Sequence, residues 1–509
     1  MRSLNSAKNL ISSLSITLIM TLLGFLTRKI FVDNVGVEYL GLNGLLQNIL
    51  GVVTLIEGGF GTSVVYNLYK PLAEKNQEKI IALLQLYKKV YRYIALGIII
   101  FSLCLFPFID NFIKDAENLS YVSIVYFIFV FNSVIQYFTA YKWSLINADQ
   151  KNYKLTTINL IYQVGLSITK ILILYYTKNY ILYLIVEALF NLGLNIAIVK
   201  KANQLYPYIC TSKKYIVETN IKANIISNVK SLFFHSLGGY FMNSTANIVI
   251  SSFVGITIVG LYSNYTLLTG YVNSLCKQIL NSVSESVGNL IAEENKEKSY
   301  QVFKIIFFIN FLVISYSCIL LLTIIPPFIS WWLGKEYILS NTTLILIIIN
   351  FYIDGMRTSA LIFKVKSGIF KQDRFSPLLQ GVINLILSLI LVQYWDINGV
   401  LFSYGFSILC IGFWQFPRLV YKYSFDKPLF LYFKQYFYYT TIATISFIFI
   451  KTILNFIYIE SYFLKVLSNG IISLLIMTCI YWSVFHKQQT FIKLTFYIQN
   501  VKKSLKSTI

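Results

Sequence analysis

GVEYLGLNGLLQNILGVVTLIEGGFGTSVVYNLYKPLAEKNQEK, residues 36–79, aligns without a gap on GITIVGLYSNYTLLTGYVNSLCKQILNSVSESVGNLIAEENKEK, residues 255–298, at an offset of 219. Twelve of the 44 positions hold the same residue, among them Gly36/Gly255, Gly41/Gly260, Asn76/Asn295, Glu78/Glu297 and Lys79/Lys298. Each copy opens on a glycine-bearing turn, continues through a long apolar stretch and leaves through AE-x-N-x-EK. A biased composition yields scattered coincidences, not a cluster of that kind, so the chain contains one unit twice. Outward from these copies the apolar runs are about 20 residues long, enough to cross a hydrocarbon core of roughly 30 Å as helices. Spans are expected near 10–31, 39–66, 93–113, 119–146, 155–177, 179–199, 231–254, 257–284, 303–327, 341–363, 376–394, 397–416, 435–457 and 464–485. Helix is required, because backbone groups in lipid must pair within their own segment. The alternating ten-residue strands of a membrane barrel are not present.

Spans 1–6 and 7–12 are therefore read as two copies of one bundle. Six is even, so both copies point the same way and are related by an axis along the membrane normal, with substrate sites expected between the repeats. The expected fold class is an all-α polytopic membrane protein of about fourteen transmembrane helices: two six-helix lobes in pseudo-two-fold repeat plus a C-terminal pair. The expected division is an N-lobe at 1–200, a linker at 201–230, a C-lobe at 231–420, and spans 13 and 14 with a basic tail at 421–509.

Composition agrees. Of 509 residues, 56% are hydrophobic and 13% charged, and mean hydropathy is +0.65; a soluble domain carries about a quarter charged residues. A net charge of +22 in a soluble chain would suggest nucleic acid. Here Lys and Arg crowd the N-terminal tail, the even-numbered loops and the C-terminal tail, and the opposite side holds only Lys114, Lys178, Lys335 and Lys465. The positive-inside rule then places both termini in the cytoplasm; nucleic acid is excluded as a partner. No cleavable signal peptide is expected, since the first apolar span runs on through Arg28. Cys104, Cys210, Cys276, Cys318, Cys410 and Cys479 form no CxxC pair, and most sit in apolar spans, where cysteine behaves as a small apolar residue. No metal or cofactor is expected.

Polar residues recur at steps of three and four, which places them on one helix face. Span 1 carries Ser13, Thr17, Thr21, Gly24 and Arg28; span 5 carries Asn159, Gln163, Ser167 and Lys170. Span 8 carries Thr266, Thr269, Asn273, Lys277 and Asn281; span 10 carries Asn350, Asp354 and Arg357; span 11 carries Gln380, Asn384 and Ser388. Such faces line a watery cavity or bond helix to helix. Thr21, Asn159, Gln163, Asn273, Asn281 and Asn350 are expected on the cavity side. Each ionisable residue costs about 3 kcal/mol or more at mid-bilayer, so these are the stronger signals. Arg28, Lys29, Lys170, Lys277 and Arg357 give cations at several depths, suited to phosphate. Their plainer readings are snorkelling for Arg28 and Lys29, a carboxylate partner for Lys170 and Lys277, and Asp354 one turn away for Arg357. Glu57, Glu187 and Asp354 are the candidates for ion or proton coupling, or else the structural partners of those cations; Glu285 is a further intramembrane carboxylate. His235, at the start of span 7, is read as an interfacial hydrogen-bonding group before a proton relay.

At this point the chain resembles a known group. Fourteen spans arranged six, six and two, with G-x-x-x-x-G-L-Y at Gly255–Tyr262, resemble the multidrug/oligosaccharidyl-lipid/polysaccharide exporter superfamily, which includes the multidrug and toxin extrusion (MATE) transporters. LTRKIFVDNVGVEYLGL at 26–42 with Glu57-Gly58 in span 2, INADQKNY at 146–153 and SGIFKQDRFSP at 367–377 are similar to the Wzx-type polysaccharide flippases of that group. The resemblance implies a V-shaped central cavity, alternating access, and a cargo of polyprenyl-pyrophosphate-linked (undecaprenyl-type) oligosaccharide repeat units for O-antigen or capsule. Polysaccharide polymerase and chain-length proteins are the partners it implies. It also implies a headgroup arginine at Arg28 and a lipid-tail groove formed with spans 13 and 14. The chain departs from the pattern by placing lysines, Lys170 and Lys277, where arginines are common.

A proton- or cation-coupled drug antiporter of the same fold is the main rival; its cavity should favour carboxylates. A membrane glycosyltransferase, polymerase or ligase needs a sizeable outer domain, whereas the longest outer segment is about 14 residues. There is no DxD, no Ser-His-Asp set and no metal cluster, with His235 and His486 the only histidines. The chain is accordingly not expected to be an enzyme.

Overall fold

The computed structural model describes residues 2–52, 55, 60–114, 119–293, 295–369 and 371–496. The side chains of residues 2–18, 62 and 371, and several within 220–235 and 282–293, lie outside that description. Glu57 falls outside it altogether, as do the side chains of Ser13, Thr17, His235 and Glu285. Among the described residues the chain is helical, with no strand.

The first unit, residues 1–263, contains α1 (Arg2–Val35), α2 (Val37–Leu50), α3 (Phe60–Ala73), α4 (Gln77–Leu105), α5 (Val122–Ile135), α6 (Ala140–Ala148), α7 (Tyr153–Thr177), α8 (Tyr180–Leu205), α9 (Thr219–Asn243) and α10 (Thr245–Phe253). Helix α11 (Ile256–Glu293) begins in it. The second unit, residues 264–509, contains the rest of α11, then α12 (Lys296–Trp332), α13 (Asn341–Met356), α14 (Thr358–Lys366), α15 (Ser376–Ser407), α16 (Phe413–Val420), α17 (Phe430–Asn455) and α18 (Tyr462–Phe485). The division between the two units falls inside α11, and residues 231–254 belong to the first unit.

Among the described residues, eight helices are long and apolar enough to cross a membrane, nine with the pair Val122–Phe138 and Ala140–Ala148, which meet at a 48° bend. One of the eight, Ser376–Phe425, turns at Trp395 and Asp396 (φ +48°) and holds expected spans 11 and 12. Expected spans 1, 2, 7 and 8 are helical too, as α1, α2 with α3, α9 with α10, and α11. The architecture of about fourteen spans stands.

The repeated residues have physical reasons. Gly36 and Gly255 both adopt left-handed φ, +105° and +142°, which a Cβ disfavours. Asn76 and Asn295 both cap a long helix, each side-chain oxygen accepting the backbone N–H three residues on, at 3.1 Å from Lys79 and 2.9 Å from Lys298. Gly41 lies against the carbonyl of Ile256, and Gly260 against the carbonyl of Val37, so closely that a Cβ at either would collide. Val37 and Ile256, like Gly41 and Gly260, are 219 apart. Each copy thus presents its glycine to the other's backbone, the reciprocal contact that a two-fold axis creates.

The offset also relates two broken spans. Span 4 breaks through a 3-10 turn at Gln136–Phe138, and span 10 breaks at Arg357, whose equivalent is Phe138. Breaking a helix in lipid frees carbonyls. In span 10 buried Asn310 of α12 donates to Gly355 O and Met356 O, at 3.1 Å each. At the ends of the capped helices, exposed bridges tie them to the chain leaving each sixth span: Lys79 to Glu218 at 3.1 Å, and Lys427 to Glu297 at 2.8 Å. That bond and charge hold the Lys427 ammonium above its ordinary range.

Packing in the second unit is aromatic. Phe307, Phe308 and Phe311 of α12 are buried against Tyr432 and Tyr439 of α17 and Phe485 of α18, with Phe311 and Tyr439 stacked at 4.4 Å. Lipid tails are as apolar as leucine, so such helices hold by close packing rather than by exclusion from water.

Candidate functional site

In the first unit, α1 lies along α7, and α7 along α8. Their polar faces meet at Lys170, whose ammonium donates to Glu187 at 2.8 Å and sits 4.3 Å from the centre of the Tyr183 ring. The Lys170 side chain is 11% exposed and that of Glu187 33%. Phe31 packs edge-on against Tyr180 and Tyr183, and Tyr180 donates to the Asn43 side-chain oxygen. The carboxylate of Glu187 therefore neutralises Lys170, and the two sequence candidates form one group.

Nearer the C-terminal end of α1, Arg28 donates to the Ser263 hydroxyl at 3.0 Å, bridging α1 to the start of α11. Lys29 pairs with Asp33 one turn on, at 3.2 Å, with both side chains 45% exposed. That is the geometry of a surface pair, worth at most about 1 kcal/mol. Thr21 and Asn159 are half-buried, and Gln163 is exposed.

The same unit holds a cavity of about 930 Å³ at the break in span 4. Asn132, Gln136, Trp143 and Asn147 line it from the α5–α6 side, and Asn191 and Asn195 from α8. The sequence reading missed these residues. The signal was available: Asn132, Gln136, Thr139 and Trp143 follow each other at three- and four-residue steps, and Glu187, Asn191 and Asn195 at steps of four. They are neutral, and a neutral amide in a span is a weaker signal than an intramembrane charge.

In the second unit, Arg357 occupies the break between α13 and α14. Its guanidinium donates to Asp354, lies 5.4 Å from the centre of the Phe416 ring, and keeps its Nε without a partner among the described residues. Gly412 makes the room: a Cβ there would strike the guanidinium and the Gln380 side-chain oxygen. Gln380, Asn384 and Ser388 form a buried stripe on α15. Asn350, expected on a cavity face, is buried and donates to Leu401 O at 2.8 Å; it bonds helix to helix. Lys277 and Asn281 are exposed and Asn273 half-buried on α11, and Lys277 has no ion pair with a described residue. A second ion pair, unforeseen, joins Lys364 to Asp373, both nearly fully buried, with the ammonium 4.4 Å from the Phe416 ring centre. Asp373 lies in the 367–377 motif and Asp149 in the 146–153 motif, where it accepts from the Tyr206 hydroxyl at 2.5 Å. Both motifs thus anchor turns between helices. Finally, Val272, Leu275, Ile279, Leu312 and Val313 line an apolar groove of about 350 Å³ between α11 and α12; Tyr316 on its edge bonds Thr478 of α18 at 3.1 Å.

This is the fold of multi-helix membrane carriers of the multidrug/oligosaccharidyl-lipid/polysaccharide type. A lipid II flippase, MurJ, in an inward closed conformation superposes with a TM-score of 0.69 at 15% identity, over 93% of this chain and 99% of that one. An inward-facing MATE-family multidrug resistance transporter gives 0.53 at 15% identity, over 81% and 98%. The MATE multidrug transporter DinF-BH gives 0.54 at 17% identity, over 82% and 96%. No family model and no curated protein matches the sequence. These neighbours are transporters, and at such identities the likeness is one of fold.

Proposed function

We propose that the chain is a flippase that moves a polyprenyl-pyrophosphate-linked oligosaccharide repeat unit from the cytoplasmic to the outer leaflet of a bacterial inner membrane, for O-antigen or capsule assembly. Alternating access of two six-span lobes, 1–200 and 231–420, carries the motion, with both termini cytoplasmic. The observation that carries this reading is the set of basic and amide groups inside a helical bundle, centred on two breaks 219 residues apart. A polar headgroup needs such a path; a purely structural bundle has no use for it.

Arg28, Lys277 and Arg357 are the pyrophosphate contacts: each is a basic group on a polar helix face, Lys277 is exposed and Arg357 keeps its Nε without a partner among the described residues, and Lys29 assists at the outer mouth. An inside-negative potential favours outward movement of a negative headgroup by about 2.3 kcal/mol per charge per 100 mV. The apolar groove between α11 and α12 takes the lipid tail. The lipid II flippase covers 93% of this chain against 81–82% for the two MATE transporters. That difference is about as long as the α17–α18 pair. The drug-antiporter alternative needs a carboxylate able to take a cation; Glu187 and Asp354 are each engaged by a basic neighbour. Polymerase and chain-length proteins are the partners that would consume the flipped unit.

The test is complementation of a strain lacking its polysaccharide flippase, scored by surface polysaccharide. Restoration by the intact chain, and its loss with Arg28→Ala, Lys277→Ala or Arg357→Ala at normal membrane insertion, supports the reading. Full activity in all three variants sinks the pyrophosphate site. Drug resistance without polysaccharide favours the antiporter.

A further inference from the structure

We propose that the cavity at the span 4 break is a subsite for an uncharged saccharide portion of the cargo; this deepens the flippase reading and rests on it. None of the described residues lining the cavity is charged. Its volume, about 930 Å³, lies within the roughly 300–1,000 Å³ that takes a drug-sized ligand. Asn132, Gln136, Asn147, Asn191 and Asn195 stand in its wall beside apolar Val65, Ile135, Leu194 and Ile198, and no carboxylate is among its described lining residues.

The amides are held in place but not used up. Thr139 donates to the Asn195 oxygen, Asn195 donates to Asn191 O at 2.9 Å, and Asn191 donates to the Asn132 oxygen at 3.3 Å. Asn152 donates to the Asn147 oxygen at 2.6 Å. The donors of Asn132 and Asn147 and the side-chain oxygen of Asn191 remain without a partner among the described residues. A sugar hydroxyl both donates and accepts, so pre-oriented amide donors and acceptors suit it, whereas a phosphate offers only acceptors. Trp143, 45% exposed, supplies an apolar ring for the C–H face of a pyranose.

Glu187, Asn191 and Asn195 share one face of α8, so the Lys170–Glu187 pair lies one four-residue step, about 6 Å along the axis, from the cavity's Asn191, and being neutral as a pair it brings no net charge to the cavity.

The experiment uses the full-length protein in lipid nanodiscs and three probes. These are undecaprenyl pyrophosphate alone, the same lipid carrying a neutral N-acetylhexosamine, and the same lipid carrying a uronic acid. The intact protein should bind the neutral glycolipid at least about tenfold more tightly than the bare lipid, two or three good hydrogen bonds being enough. The uronic acid should bring no such gain. Trp143→Ala and Asn191→Leu should erase the gain and leave bare-lipid affinity unchanged, and Trp143→Phe should restore part of it. Equal affinity for bare and neutral-sugar lipid, an equal gain from the uronic acid, or equal weakening of every probe by the variants overturns the subsite while bare-lipid binding keeps the flippase reading. Failure to bind any of the three overturns the flippase reading, and the subsite with it.

Discussion

Removing one half of the Lys170–Glu187 pair is expected to cost more than removing both. At 2.8 Å and an effective dielectric near 20, the attraction is about 6 kcal/mol before desolvation. Desolvating two ions takes back several kcal/mol each, so the pair adds little net stability. Breaking it is another matter. Glu187→Gln leaves an ammonium 11% exposed without its counter-ion. A fully buried break costs about 3–5 kcal/mol. The Tyr183 face at 4.3 Å and the new amide oxygen return part of that, leaving about 2 kcal/mol. Lys170→Met leaves Glu187, which at 33% exposed can turn toward water, so about 1 kcal/mol is expected. Lys170→Met with Glu187→Leu should melt near the wild type. The assay is thermal unfolding of purified protein in detergent, ordered wild type and double variant first, Lys170→Met next, Glu187→Gln last. A Glu187→Gln protein that melts with the wild type, or a double variant as poor as both singles combined, refutes the reasoning. The double variant should also keep surface polysaccharide; its loss would return Lys170 to the headgroup.

The reciprocal glycine contact makes Gly41→Leu and Gly260→Leu expensive, by about 1–3 kcal/mol of overpacking or by forcing the backbones apart; complementation should fall at least tenfold. Gly97→Leu, where an added Cβ meets nothing, should remain active, and equal loss in all three would remove the contact's special role. Lys364→Met should strip folded protein from the membrane by stranding Asp373, at about 3–5 kcal/mol, while Lys364→Met with Asp373→Leu recovers yield; quantitative blotting of membranes decides it. Gly412→Val should displace the Arg357 guanidinium and lower transport about as far as Arg357→Ala, whereas wild-type transport by Gly412→Val would dissociate that glycine from the site.

Much of the membrane architecture was legible because the bilayer leaves few choices. Apolar runs near the thickness of the hydrocarbon must be helices, and the run 376–416 was correctly divided at Asp396, whose φ of +48° makes the turn. The repeat was legible because its shared residues answer local backbone demands: Gly36 and Gly255 for positive φ, Asn76 and Asn295 for capping. The site was less so. Lys170 and Glu187 are 17 residues apart on different helices, and Asn350 sits on a polar face that turned out to meet Leu401 rather than water. Periodicity gives the direction of a side chain about its helix, not what stands opposite.

The sequence by itself determined the helical class, the approximate span count and the existence of two copies, because each follows from local hydropathy or a residue's own backbone preference. Tertiary structure alone decided which cations are neutralised, that Gly41 and Gly260 meet reciprocally, that Asn310 fills the break at Arg357, and that the neutral amides of spans 4 and 6 enclose a cavity. Those depend on which faces of distant helices are pressed together, and in lipid, where apolar surface is nearly indifferent to its neighbour, that choice is made by close packing and by pairing polar groups across the whole bundle.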